Sequence, residues 1–126
     1  MANLQDFISL FTGIFPQKVT ADAGFAISAG SINTQAGTTY TLQAVDNGEV
    51  ILFTNSGQVT VTAPAGLPVG FSCSIIQVGT GQVSLTASGT TLRLVGSANK
   101  TAAQYAVMTV FSHVANEFIV GGNVSA

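Results

Sequence analysis

The sequence predicts an all-β protein, specifically an antiparallel β-sandwich of the jelly-roll kind with about eight strands, preceded by a short helix and an extended arm. Three observations predict this fold. From residue 39 onward, short runs alternate apolar and polar residues, which is typical of half-buried strands. Glycine-containing turn signals separate these runs about every 8–12 residues, as in sandwiches and barrels. The 126 residues are enough for one domain with its own core.

The first 15 residues follow a different pattern. Apolar side chains at positions 4, 7, 8 and 11 have helical spacing, Asn3 suits the N-cap, and Gly13 and Pro16 end the pattern. A helix of about nine residues is marginal in water by itself, is too short to span a membrane, and lacks the basic residue that opens a signal peptide. It is therefore expected either to pack on its own domain or to dock into a partner. The docking residues would be Leu4, Phe7, Ile8, Leu10, Phe11, Ile14 and Phe15.

Residues 16–38 are rich in glycine, serine, threonine and alanine and carry little periodicity. We interpret them as an extended arm that continues from the helix. The chain is accordingly divided into residues 1–38, the N-terminal helix and attachment arm, and residues 39–126, the β-sandwich domain.

The first strands of the sandwich are separated by recognisable turns. Asp46-Asn47-Gly48 has the composition of a two-residue hairpin turn, and residues 50–53 form the returning strand. Residues 59–63 alternate valine or alanine with threonine, so one face of this strand is predicted to be buried. Residues 64–70 contain two prolines and form a crossover, because proline cannot donate to a strand ladder.

The later strands include the longest one. Phe71, Cys73 and Ile75 form an inward row, and Gly79-Thr80-Gly81 is predicted to close a hairpin onto a strand that begins at residue 83. Strands over residues 91–95 and 118–120 flank a long strand over residues 103–114, which is largely apolar on both faces. Such a strand is covered twice, by the second sheet and by a neighbouring chain. We therefore assign a subunit interface to Tyr105, Met108 and Val110.

The charge content is unusually low. Charged residues are 6% of the chain, against about 25% in an average protein. Three basic residues do not form a phosphate-binding patch, so nucleic acid is not expected as a partner. A surface with so few charges is expected to be covered by other subunits, which predicts a homo-oligomer.

No constellation of residues predicts catalysis, a metal or a cofactor. The single cysteine, Cys73, excludes an internal disulfide and is interpreted as a small buried apolar residue. His113 alone does not make a zinc site, and Asp46 and Glu49 are interpreted as residues of a surface turn. Arg93 is expected to be exposed, or to pair with Glu117 or Glu49 across a contact.

Five stretches together resemble a β module of tailed-bacteriophage virion proteins. They are LPVGF at residues 67–71, IIQVGTGQVSL at 75–85, SGTTLR at 88–93, KTAAQYA at 100–106 and FIVGGNV at 118–124. The resemblance covers residues 39–124, and Phe118 stands where many relatives have tryptophan. It implies a trimeric, non-enzymatic structural domain of a capsid, tail or fibre.

The resemblance implies a virion protein, either a capsid decoration or cement subunit or a head-fibre subunit. Its partners would be its own copies and the major capsid protein or another virion protein, and no membrane is involved. The alternative is a tail-associated adhesin that contacts the host surface, which would display aromatic side chains in its loops. A third class, a depolymerase or lysin, requires paired carboxylates in one cleft, and the sequence does not predict such a pair.

Overall fold

The computed structural model describes residues 31–126. Within these residues all the long elements are β-strands, which confirms the all-β prediction. The predicted N-terminal helix and its docking residues lie outside the described part. No helix in residues 31–126 is long and apolar enough to cross a membrane.

The described residues form a six-stranded and a five-stranded sheet, with the strand orders β1-β3-β5-β9-β10-β7 and β11-β8-β6-β4-β2. Two short 3₁₀ turns, Ala44–Asp46 and Val95–Ser97, interrupt the strands. The strands are β1 Ile32–Gln35, β2 Thr39–Thr41, β3 Val50–Phe53, β4 Val59–Pro64, β5 Ser72–Gln77, β6 Val83–Ser88, β7 Thr91–Leu94, β8 Lys100–Thr101, β9 Val107–Val114, β10 Glu117–Gly122 and β11 Val124–Ser125.

The first six strands alternate between the two sheets. β1, β3 and β5 lie side by side and parallel in the six-stranded sheet, and β2, β4 and β6 do the same in the five-stranded sheet. The chain therefore winds through three coils, each of which contributes one strand to each sheet, as in a β-solenoid.

Both sheets are mixed and the chain winds as a solenoid, so the prediction of an antiparallel sandwich of the jelly-roll kind, built from hairpins, is corrected. The turns at residues 46–48 and 79–81 do not close hairpins, because each connects strands of different sheets. Glycine and asparagine allow the chain to reverse, but they do not determine which strand the returning segment pairs with. β1 also lies in the part of the chain that the sequence assigned to the arm.

Antiparallel strands complete both sheets after the third coil. β9 pairs with β5, and β10 pairs with β9, in the six-stranded sheet. β8 pairs with β6, and β11 pairs with β8, in the five-stranded sheet. β7 lies parallel to β10 at the sheet edge. The longest strand is β9, as predicted, but it begins at Val107.

The coils have unequal lengths, which explains why the sequence carries no visible repeat. Ile32 pairs with Val50, 18 positions on, whereas Val50 pairs with Ser74, 24 positions on. A solenoid stacks strands in space, and loops of different length between strands leave that stacking intact.

The core lies between the sheets and is made by the inward rows of both. The predicted rows are confirmed: Val59, Val61 and Ala63 are fully buried, and Phe71, Cys73 and Ile75 are at most 2% exposed. Phe71 and Phe118 pack edge to face with ring centroids 6.4 Å apart. Burial of aliphatic and aromatic side chains of this kind is the main stabilisation of the fold.

Glycines at one end of the solenoid let the corners of successive coils stack closely. The Gly81 N–H donates to Asn55 O at 3.1 Å, and the Asn55 side-chain amide donates to Ala36 O at 2.8 Å. A Cβ on Gly79 or Gly81 would collide with backbone atoms of the preceding corner. The Gly79-Thr80-Gly81 stretch is thus a packed corner of the third coil.

Candidate functional site

The outer face of the five-stranded sheet is a lattice of hydroxyl side chains. Alternation along β2, β4 and β6 directs two rows outward, and the register aligns them across the three strands. The rows are Thr39, Thr60 and Ser84, and Thr41, Thr62 and Thr86. Each of these side chains carries a donor and an acceptor for water, and all except Ser84, which is 7% exposed, are at least partly accessible.

The outer face of the six-stranded sheet has the opposite character. Alternation directs apolar side chains outward from five of its strands, and several are substantially exposed, with Ile32 at 62%, Phe111 at 42% and Ile119 at 44%. We call this surface the apolar outer face; its members are Ile32, Val50, Leu52, Ile76, Val107, Phe111 and Ile119. Ser74 and Thr109 also face outward and lie between Phe111 and Ile119 on one side and Ile76 and Val107 on the other, so the exposed apolar side chains form two groups. Exposed apolar groups on one face are typical of interaction surfaces.

The three residues assigned to a subunit interface are separated by the fold. Met108 and Val110 point inward from β9 and are fully buried in the core of their own chain. Tyr105 lies in the turn before β9 and is 69% exposed. Of the three side chains, only that of Tyr105 is accessible to another molecule.

One ion-pair cluster lies at the β7–β10 margin of the apolar outer face. Arg93 binds Glu117 of its own chain through two bonds, Nε to Oε2 at 3.0 Å and a terminal guanidinium nitrogen to Oε1 at 3.1 Å. His113 Nε2 lies 2.7 Å from Glu117 Oε2. Hydrogen bonds from Arg93, and then from His113, lower the pKa of Glu117. Arg93 and His113 thus share one carboxylate.

Asp46 is fully buried, which corrects the prediction that it belongs to a surface turn. Its carboxylate accepts hydrogen bonds from Tyr40 Oη at 2.8 and 3.0 Å, from Asn33 Nδ2 at 3.1 Å and from the Gln43 N–H at 2.8 Å. Burial, and then the bond to Asp46, raise the pKa of Tyr40 to about 12. The fully bonded carboxylate joins β1, β2 and the 3₁₀ turn, which is a structural role.

Cys73 is 2% exposed on the inward row of β5. Burial raises the pKa of its thiol to about 12, so the nucleophilic thiolate is scarce at neutral pH. Residues 31–126 contain no cluster of three His, Cys, Asp or Glu side chains arranged to hold a metal ion.

A polar hollow that sequence reasoning did not identify lies beside the turn before β9. It has a volume of about 370 Å³, and its lining includes Gln77, Thr80, Gln82, Thr101 and Gln104. The lining comes from the third coil and from β8 with the segment after it, which are distant in sequence. In the sequence, the feature that could have indicated this hollow is the frequency of glutamine and threonine in these two stretches.

Comparisons with models of known protein families and with curated proteins found no match to this chain.

Proposed function

We propose that this chain is a non-enzymatic structural protein of a bacteriophage virion, a capsid decoration, cement or head-fibre subunit that forms a homo-oligomer. The resemblance of residues 39–124 to the phage β module supports the virion assignment. The observation that carries the structural role is the contrast between the two outer faces, one hydroxyl-rich and one with large exposed apolar side chains. A solenoid with both outer faces in water would not be expected to expose large apolar side chains on one of them.

The homo-oligomer, a trimer by the resemblance, forms in this proposal through the apolar outer face around Phe111 and Ile119. These two side chains are direct neighbours across β9 and β10. The charges beside them do not oppose such a contact, because Arg93 and Glu117 already neutralise each other. Burying an unpaired charge would be the main obstacle to covering this face.

The variant Phe111→Thr with Ile119→Thr tests this interface. It keeps β-propensity while removing exposed apolar area, and we expect a folded protein whose oligomer dissociates at least about tenfold more readily. Sedimentation velocity over a concentration series measures this. Val45→Thr with Val69→Thr, which removes similar exposed side chains from turns elsewhere, is the matched control. A wild-type protein that sediments as a monomer at micromolar concentration contradicts the proposal.

Attachment to the particle is assigned to residues 1–23. Seven large apolar side chains in the first 15 residues would contribute roughly 10 kcal/mol if buried, before ordering costs. Such a segment suits a hydrophobic groove on a neighbouring virion protein. The major capsid protein or another shell protein is the proposed partner.

Deletion of residues 1–23 is expected to leave a folded β domain that no longer co-sediments with particles lacking this protein. Phe7→Asp with Phe11→Asp is expected to have the same effect, because both positions lie on the apolar stripe. Gln5→Asp with Ser9→Asp adds the same charge to the opposite side and is expected to bind normally. Unfolding of the deleted protein would assign the segment to its own core, and normal binding would place attachment on the β domain.

The second candidate function, a tail-associated adhesin, is favoured by one specific observation. Sequence reasoning placed Tyr105 in a strand, whereas the side chain projects from an exposed turn. An exposed aromatic side chain in a loop is the feature expected of a surface that contacts a host.

A further inference from the structure

We infer that the homo-oligomer dissociates in weak acid, because protonation of His113 adds a charge beside Phe111 and Ile119 that is costly when this surface is covered. The inference rests on the proposed interface and adds to it a control of assembly by pH. It is carried by the position of the ion-pair cluster, by the sharing of one carboxylate within it, and by the absence of any other histidine from the chain.

The ion-pair cluster adjoins the apolar pair of the proposed interface. Ile119 pairs with Arg93 on β7 and with Phe111 on β9, so these three residues form one row across the sheet. His113 and Glu117 are each two positions away along β9 and β10, which is a distance of about 7 Å. Together with Ile119, the three members of the cluster line a single hollow of about 390 Å³. A subunit that covers Ile119 therefore also removes water from the cluster.

The cluster has no net charge while the imidazole is neutral. The Arg93 guanidinium donates to both oxygens of Glu117, at 3.0 and 3.1 Å, which is a strong bidentate arrangement. In its neutral form His113 donates from Nε2 to Glu117 Oε2 at 2.7 Å. One positive and one negative charge cancel, so this form is compatible with a covered surface.

Protonation of His113 changes the balance by one unit of charge. Because Nε2 is bonded to Glu117, the added proton goes to Nδ1. One carboxylate then lies between two cations, Arg93 and His113, and the cluster is left with an excess positive charge. The neighbouring strands do not compensate it: β7 and β10 contribute only Arg93 and Glu117, and residues 70–72 on the other side of β9 carry no charge.

The excess charge favours the free subunit. Water stabilises the protonated cluster in the free subunit, and a covering subunit displaces that water. In a closed symmetric oligomer every subunit contributes the same excess charge, which adds repulsion. Proton binding is therefore more favourable in the free subunit, and by linkage a lower pH favours dissociation. The oligomer is stable above the range in which histidine titrates and is weakened as the pH falls through it.

The composition of the chain allows the effect to be assigned to one side chain. His113 is the only histidine in the 126 residues. Burial raises the pKa of the Cys73 thiol to about 12, so it stays protonated in weak acid. The hydrogen bond from Arg93, and then that from His113, lower the pKa of Glu117, so this carboxylate stays ionised. A change in assembly between about pH 7 and about pH 5.5 therefore reports on His113.

Sedimentation velocity of the full-length protein over a concentration series, at about pH 7 and about pH 5.5, measures the effect. We expect the dissociation constant of the oligomer to be at least about tenfold larger at the lower pH. An oligomer that dissociates equally or less readily at the lower pH would overturn the inference and leave the proposed interface standing. A protein that is monomeric at micromolar concentration at both pH values would overturn the two together.

The variant His113→Gln tests whether the imidazole is responsible. Glutamine donates a hydrogen bond through its side-chain amide but does not titrate, so we expect the ratio of the two dissociation constants to fall to about one. Adding Ser56→His to this variant restores a histidine in the corner between β3 and β4, away from the cluster, and is expected to leave the ratio there. Circular dichroism at both pH values checks that the subunits stay folded. A pH dependence that persists in His113→Gln, or that Ser56→His restores, would overturn the inference.

Discussion

Replacing Gly81 with alanine is expected to destabilise the β domain by about 3 kcal/mol or more. A Cβ at this position would overlap the carbonyl group of Gly57 and approach the carbonyl oxygen of Asn55. These are backbone atoms of the preceding corner, so relief requires the second and third coils to separate. Urea unfolding followed by circular dichroism measures the loss as a lower midpoint.

Gly37→Ala is the matched control for this variant. Gly37 lies in the corner of the first coil, where an added Cβ would be 3.9 Å from its nearest neighbour, Thr39 O. We expect its unfolding midpoint to stay close to that of the wild type. A Gly81→Ala protein with a wild-type midpoint would show that the corners do not pack as closely as described.

Replacing Asp46 with alanine is expected to lower the free energy of unfolding by about 3 kcal/mol or more. The substitution removes the acceptor of the Tyr40 hydroxyl, the Asn33 amide and the Gln43 N–H together. Buried donors left without an acceptor lose their full hydration energy. Since folded domains are stable by only about 5–15 kcal/mol, equilibrium unfolding is expected to detect this loss clearly.

Glu49→Gln is the control for Asp46→Ala. Glu49 lies three residues after Asp46, and its carboxylate accepts one exposed hydrogen bond, from Ser31 Oγ at 2.9 Å. We expect the free energy of unfolding to change by no more than about 0.5 kcal/mol, as is typical of surface positions. Equal losses of unfolding free energy in the two variants would mean that the buried hydrogen bonds of Asp46 stabilise the fold no more than the exposed bond of Glu49.

The class of fold and the inward rows of the core were determined by sequence alone. Alternation with a period of two decides which side chains of a strand share a face, and it correctly placed Val59, Val61 and Ala63, and Phe71, Cys73 and Ile75, inside. The turn residues correctly located most breaks between strands. Both signals are local, so one chain segment contains all the information that they need.

Only the tertiary structure decided which strands are neighbours. The same alternation is compatible with a hairpin and with a coil that carries the next strand into the opposite sheet. Residues 46–48 and 79–81 carry the chain into the opposite sheet. Stacking of β1, β3 and β5 then places their inward rows against those of β2, β4 and β6. This choice depends on contacts between residues about 20 positions apart, which no local pattern encodes.

The site residues were missed for the same reason. Asp46 looked like a turn residue, and its burial follows only when Asn33 and Tyr40 are brought beside it by β1 and β2. Tyr105 looked like part of a strand, because a positive φ at a tyrosine has no signature in the sequence. The order of residues determined which faces would be buried or exposed, and the packing of the coils determined what each exposed face and strained residue lies beside.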